Sequence, residues 1–172
     1  IWFITDRDNE FQRLATMDLS SKKINYYSTN IPWDVAEYTL SEDKAKLAFV
    51  TNEGGLEKLY LMDTATKKYN EVKNIPIGLI SGIEFTKNGN SLFFTQSTAD
   101  SSSDVYKLNL KSNEIVRWTE SELGEMQKEN MSTPKYIEWN SFDNLKISGF
   151  YYPVASKFSG KRPVVIMIHG GP

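Results

Sequence analysis

Apolar and polar positions alternate along residues 1 to about 119 in short runs, many of them β-branched or aromatic, divided by turns rich in Asp, Asn, Ser and Lys. Such alternation predicts strands with one set of side chains on each face. Leu47–Val50 reads as one strand, Lys58–Met62 as the next and Lys68–Val72 as a third, with Asp63–Thr66 as the turn between the last two. Ahead of them "AEYTLSEDKAKLAF", from Ala36, and ahead of the next set "SGIEFTKNGNSLFF", from Ser81, each add a further strand.

The pattern repeats. "WFITDRDNEFQRLATMDLSSKKINYYS", "AFVTNEGGLEKLYLMDTATKKYNEV" and "LFFTQSTADSSSDVYKLNLKSNEIVRWT" align with Thr5, Thr51 and Thr95 spaced by 46 and 44 residues, and Asp18, Asp63 and Asn109 by 45 and 46. Ser41–Lys44 and Thr86–Gly89 hold equivalent turns 45 residues apart. Four short strands with a period near 45 residues predict β-propeller blades; a β-sandwich of the same short strands is the alternative. Residues 1 to about 30 supply three strands, about 34 to 75 a second blade and about 79 to 119 a third. The expected fold is therefore all-β for most of the chain, a partial β-propeller of two and a half to three blades. A closed ring needs at least four blades, so more propeller is expected ahead of Ile1. The sheet faces left open are expected to meet another copy of the chain or the remainder of a longer parent.

After Thr119 the character changes. "ESELGEMQKENMSTP" is polar and Glu-rich and ends in a Pro break, which predicts a linker or a short solvated helical turn. Two alternating runs follow, Tyr136–Trp139 and Leu145–Tyr152, joined by Ser141–Asn144, where Asp143-Asn144 suits a tight turn. A hairpin thus opens a second region. Beyond Pro163, Val164–Ile168 is apolar at every position, which predicts a strand covered on both faces, as in a helix-flanked α/β sheet.

Composition narrows the chemistry. A net charge of -2 without like-charge runs provides no basic field for nucleic acid or anionic lipid. No stretch approaches the ~20 apolar residues of a membrane span. The absence of Cys and the single His exclude disulfides, thiolate sites and histidine-based metal sites, and no cofactor is expected. Asp6–Glu10, "DRDNE", is the one carboxylate cluster that suggests calcium, and it reads better as a turn between strands.

The candidate chemistry sits in the last residues, "VVIMIHGGP". Acyl transfer needs backbone N–H groups aimed at a developing oxyanion, and a strand that runs into His169-Gly170-Gly171 matches the loop that supplies one donor in α/β-hydrolases. Read alone, the two glycines could equally make a plain turn at a strand end. The Ser41–Lys44 and Thr86–Gly89 turns resemble the "SPDG" turn of TolB-like and peptidase-associated propellers, with Asp43 and Asn88 in the place of its Asp.

The order of propeller arc, linker, "IEWNSFDNLKISGFYYP" and "RPVVIMIHGGP" resembles the prolyl oligopeptidase family of serine peptidases, on its acylaminoacyl-peptidase and dipeptidyl-peptidase side. The specific part of the resemblance covers residues 134 to 172. It implies a propeller over residues 1–126, a linker over 127–134 and the first strands of a truncated α/β-hydrolase domain over 135–172. It also implies an oxyanion N–H from Gly171, with His169 and Gly170 shaping that loop, and an oligopeptide substrate for the parent.

The chain departs from the family in one large respect. It has no Gly-x-Ser-x-Gly elbow, and its only His, His169, precedes any position for one, so the nucleophile, Asp and base of a triad are absent. This segment alone is expected to be inactive. The alternatives are a non-catalytic TolB-like binding propeller and an inactive hydrolase relative. A lipase or esterase with the same loop fits the upstream propeller poorly.

Overall fold

The computed structural model describes residues 1–168. Thirteen strands form three antiparallel meanders and one hairpin. β1 (Trp2–Thr5), β2 (Arg13–Met17) and β3 (Ile24–Tyr26) make a three-stranded sheet. β4 (Asp34–Leu40), β5 (Lys46–Glu53), β6 (Leu56–Asp63) and β7 (Tyr69–Glu71) make a four-stranded one, and β8 (Gly78–Phe85), β9 (Ser91–Thr98), β10 (Ser101–Asn109) and β11 (Ile115–Arg117) another. The repeat is thus three consecutive propeller blades, the first represented by its outer three strands.

The core explains why β5 is apolar on both faces. Successive side chains of a strand point to opposite sides of the sheet. Leu47 and Phe49 enter a cluster with Leu14 and Val35 between the first and second blades, whereas Ala48 and Val50 enter one with Ile83, Leu92, Phe94 and Leu108 between the second and third. A middle blade is buried on both sides, so its inner strands carry no polar face. Phe49 is fully buried, stacked on Tyr60 at 5.0 Å and edge-on to Tyr69 at 5.3 Å between ring centroids.

The turns repeat atom for atom. In the second blade the Ser41 hydroxyl accepts from the Lys46 N–H (2.9 Å), and Asp43 Oδ1 accepts from Ser41 Oγ (2.6 Å) and the Ala45 N–H (3.0 Å). Thr86, Asn88, Asn90 and Ser91 reproduce this ring in the third blade. Lys44 and Gly89 hold the left-handed position of the two turns, at φ 57° and 66°. At the next turn Asp18, Asp63 and Asn109 each accept from two backbone N–H groups with a side-chain oxygen.

Past the blades, the helical turn expected within the linker is one 3-10 turn, Lys128–Asn130, and the hairpin is β12 (Lys135–Asn140) paired with β13 (Lys146–Tyr151). The strand expected at Val164–Ile168 is not formed. Those residues pair with nothing among the described residues and are 79 to 93% exposed. Strand geometry requires a hydrogen-bonding neighbour, and an apolar run without one has no means of becoming a strand.

Candidate functional site

The expected oxyanion residues His169, Gly170 and Gly171 lie outside the described residues. What the structure does describe of the region before them is the β12–β13 hairpin, seated at one end of the blades.

Connections in a meander alternate between the two ends of a sheet. The Asp-anchored turns therefore occupy one end of the blades, and the β1–β2, β5–β6 and β9–β10 connections occupy the other. The hairpin packs at this second end, against Gly54-Gly55. Both glycines have positive φ, 64° and 92°. A Cβ on Gly54 would stand 2.6 Å from the Tyr136 hydroxyl, and one on Gly55 would stand 2.9 Å from a ring carbon of Phe150. The turn is glycine because backbone and hairpin touch there. Ser148 Oγ adds a hydrogen bond to the Gly54 carbonyl.

Beside this contact lies a cleft of about 300 Å³ between the start of β8 and the hairpin, walled by Ile77, Leu79, Ala99, Pro134, Phe150 and Tyr152. It is apolar and open, suited to an aliphatic or aromatic group and without a side chain placed for proton transfer.

Two polar networks flank the seam. Glu53, largely buried at the end of β5, binds Lys58 Nζ at 2.5 Å and Tyr60 Oη at 2.6 Å, and accepts from Thr51 Oγ1 at 3.0 Å. Burial raises the Glu53 carboxyl, but the bonds from Lys58, Tyr60 and Thr51 outweigh it and hold the pKa below its ordinary value. Burial, then the Glu53 carboxylate, push the Tyr60 hydroxyl well above the usual tyrosine range. Three donors from its own sheet hold the Glu53 carboxylate in place.

The second network centres on Asp104, whose side chain is wholly buried at the bulged start of β10. Its carboxylate accepts from Ser101 Oγ (2.9 Å), Arg117 Nη2 (2.5 Å), Thr119 Oγ1 (2.8 Å) and the Ser121 N–H (2.8 Å). Burial alone would raise its pKa; the donors, Thr119 and Ser121 foremost, override that and hold it far below the carboxylate range.

Between the blades, Glu37 of β4 accepts from the N–H groups of Gly82 and Ile83, both at 3.1 Å, and Glu57 of β6 from that of Ile80. Burial, followed by the nearby Glu37, raises the Glu57 pKa despite the Ile80 bond. Among the described residues no group of three or more His, Asp or Glu converges to hold a metal, and Asp6–Glu10 is a hydrogen-bonded turn in which the Asn9 N–H donates to the Asp6 carbonyl.

Solved peptidases share this fold over most of the chain. The chain carries the prolyl oligopeptidase propeller fold. Apo prolyl oligopeptidase B from Galerina marginata superposes with a TM-score of 0.70 at 15% identity, over 90% of this chain and 22% of that one. Porphyromonas gingivalis dipeptidyl peptidase 4 gives 0.64 at 12% identity, over 92% of this chain and 22% of that one. TolB from Acinetobacter baumannii gives 0.57 at 15%, over 88% and 40%. The chain thus spans about a fifth of the length of either peptidase, and at these identities the likeness is one of fold. No protein-family model and no curated protein sequence matches it.

The blades and the hairpin stand where the sequence places them. Sequence reasoning missed the seam itself. The Gly54-Gly55 pair was a readable signal, since two consecutive glycines between strands ask what approaches them. Asp104, inside "SSSDVYKL", carries no local sign of burial.

Proposed function

We propose that this chain is the closing part of the propeller, and the entry to the catalytic domain, of a serine peptidase of the prolyl oligopeptidase family that hydrolyses short peptides. The observation that carries this reading is the likeness to a prolyl oligopeptidase over 90% of the chain, in the same order of blades, linker and hairpin that leads here into "RPVVIMIHGGP".

In this reading a serine from the rest of the protein attacks the scissile carbonyl to form an acyl-enzyme. The Gly171 N–H then donates to the oxyanion, with His169 and Gly170 shaping its loop. The propeller restricts access by size.

The test is labelling of the full-length protein with a fluorophosphonate, together with its reading frame beyond Pro172. Stoichiometric labelling of a serine in a Gly-x-Ser-x-Gly context, abolished by Ser→Ala, supports the peptidase. A folded full-length protein that takes no label supports instead a binding propeller, the reading favoured by the likeness to TolB.

A further inference from the structure

We propose that residues 117–131 are a releasable strap, latched to the third blade by Asp104, that sets the seating of the β12–β13 hairpin on the propeller. The inference stands whether or not the parent is a peptidase.

Trp118 anchors the root of the strap on the third blade, edge-on to Phe93 at 4.8 Å between ring centroids and with its backbone N–H donating to the Val105 carbonyl at 2.7 Å, but beyond it the strap has almost nothing apolar to hold it. From Glu120 to Asn130 every residue but Leu123 is exposed, and past Arg117, the last residue of β11, the only regular structure is the 3-10 turn. Its attachment is polar and concentrated at one point. Three of the four donors to the Asp104 carboxylate come from Arg117, Thr119 and Ser121, at the root of the strap. Thr119 Oγ1 also accepts from the Val105 N–H at 2.9 Å, and Ser121 Oγ donates to the Ser103 carbonyl at 3.0 Å, so the root continues the edge of β10 by side-chain bonds.

Farther along, Lys128 pairs with Asp100 at 3.3 Å, Asn130 meets Lys157, and Ser132 Oγ donates to the Pro153 carbonyl. The strap therefore touches the third blade at its start and the segment after the hairpin at its end. Arg117 and Lys128 line one cavity with Thr133 and Pro134, and Pro134 in turn walls the apolar cleft beside Phe150 and Tyr152.

A wholly buried carboxylate with several donors is a high-stakes point: satisfied it is rigid, and stripped of its donors it is costly. The outer ties, by contrast, join exposed groups that water can replace. Asp104 is thus the latch, a positioning residue for the seam, and the remaining contacts follow it.

Hydrogen exchange on the protein tests this. In Asp104→Asn the hydrogen-bonded amides of the strap, those of Ser121, Met126, Asn130 and Met131, should exchange about tenfold faster or more, as expected for loss of a charge-assisted bond, and those of β12 and β13 should accelerate with them. Amides of β5, β6 and β9 should keep their protection. Unchanged exchange in the strap would overturn the proposal; so would an equal loss across β9 and β10, which would make Asp104 an ordinary core residue. Should Asp104→Asn fail to fold, Thr119→Val decides. It leaves the bonds of Arg117 and Ser121 to Asp104 intact and removes only those of Thr119 to Asp104 and Val105, so the same pattern of exchange is expected at smaller size, with an unchanged strap again counting against the latch.

Discussion

Ser148 Oγ donates to the carbonyl of Gly54 at 3.1 Å, across 94 residues of sequence, and joins the hairpin to the β5–β6 turn of the second blade. The contact exists because Gly54 and Gly55 leave room for Tyr136 and Phe150. Gly55→Ala should therefore cost about 1–2 kcal/mol from the left-handed backbone alone, with a further loss from displacement of Phe150. Urea denaturation gives the cost. A variant as stable as the wild type would mean that the hairpin does not rest on the turn.

Phe49 and Ala48 are neighbours in sequence and face different cores. Phe49→Ala should destabilise by about 3–5 kcal/mol through an unfilled cavity between the first two blades. Ala48→Leu should cost about 1–3 kcal/mol by overpacking the second interface. Denaturation of the two single variants and the double variant would reveal whether the cores act separately. Near-additive losses are expected, since a sheet stands between them.

Burial and Glu37 raise the Glu57 pKa, so the charged form is disfavoured in the fold. A raised carboxylate contributes stability below its unfolded value and loses it as pH climbs through the folded value. At neutral pH the ionised Glu57 is a burden. Glu57→Gln keeps an acceptor for the Ile80 N–H and removes the charge, and should raise the melting midpoint by on the order of 1–2 °C after solvent screening is allowed for. A lower midpoint at pH 7 would count against this account.

Asp104 has the opposite sign. Its folded pKa is depressed, so the stability it confers is complete above the unfolded carboxylate value and is lost as pH falls toward the folded one. Wild type should exceed Asp104→Asn most at neutral pH, and the gap should narrow steadily below about pH 4. Parallel melting curves from pH 7 to the acid limit provide the measurement. A gap independent of pH would assign the effect of the substitution to shape instead of charge.

The fold was legible where local chemistry repeats. The spacing of Thr51 and Thr95, and of Asp63 and Asn109, exposed the blades because each blade closes with the same turns, and those turns need particular side chains at particular places. The hairpin was legible from Asp143-Asn144 for the same reason, and Asn144 indeed holds a positive φ of 66°. Val164–Ile168 misled because apolarity on both faces says that cover is wanted, not that it is present. Asp104 and the Glu53–Tyr60 pair could not be read, since their meaning arises between strands that are distant along the chain. The candidate oxyanion loop rests on His169–Gly171 and on the order of segments before it.

Asn88→Asp should be nearly silent, within about 0.5 kcal/mol, because Asp43 performs the same bonding in the second blade. A larger loss in thermal denaturation would show that the two turns differ in more than sequence.

The ring of bonds that closes Ser41–Lys46 and Thr86–Ser91 begins again at Ser141, where the Ser141 N–H meets the Leu145 carbonyl and Asp143 Oδ1 accepts from the Leu145 N–H. Two of those bonds, in a turn one residue shorter, thus recur in a hairpin outside the three blades. Such a turn is a portable part, whose instructions are complete within about six residues and do not depend on the sheet it closes. A lineage that possesses it can add blades, or a hairpin outside them, without inventing a new way to turn a corner.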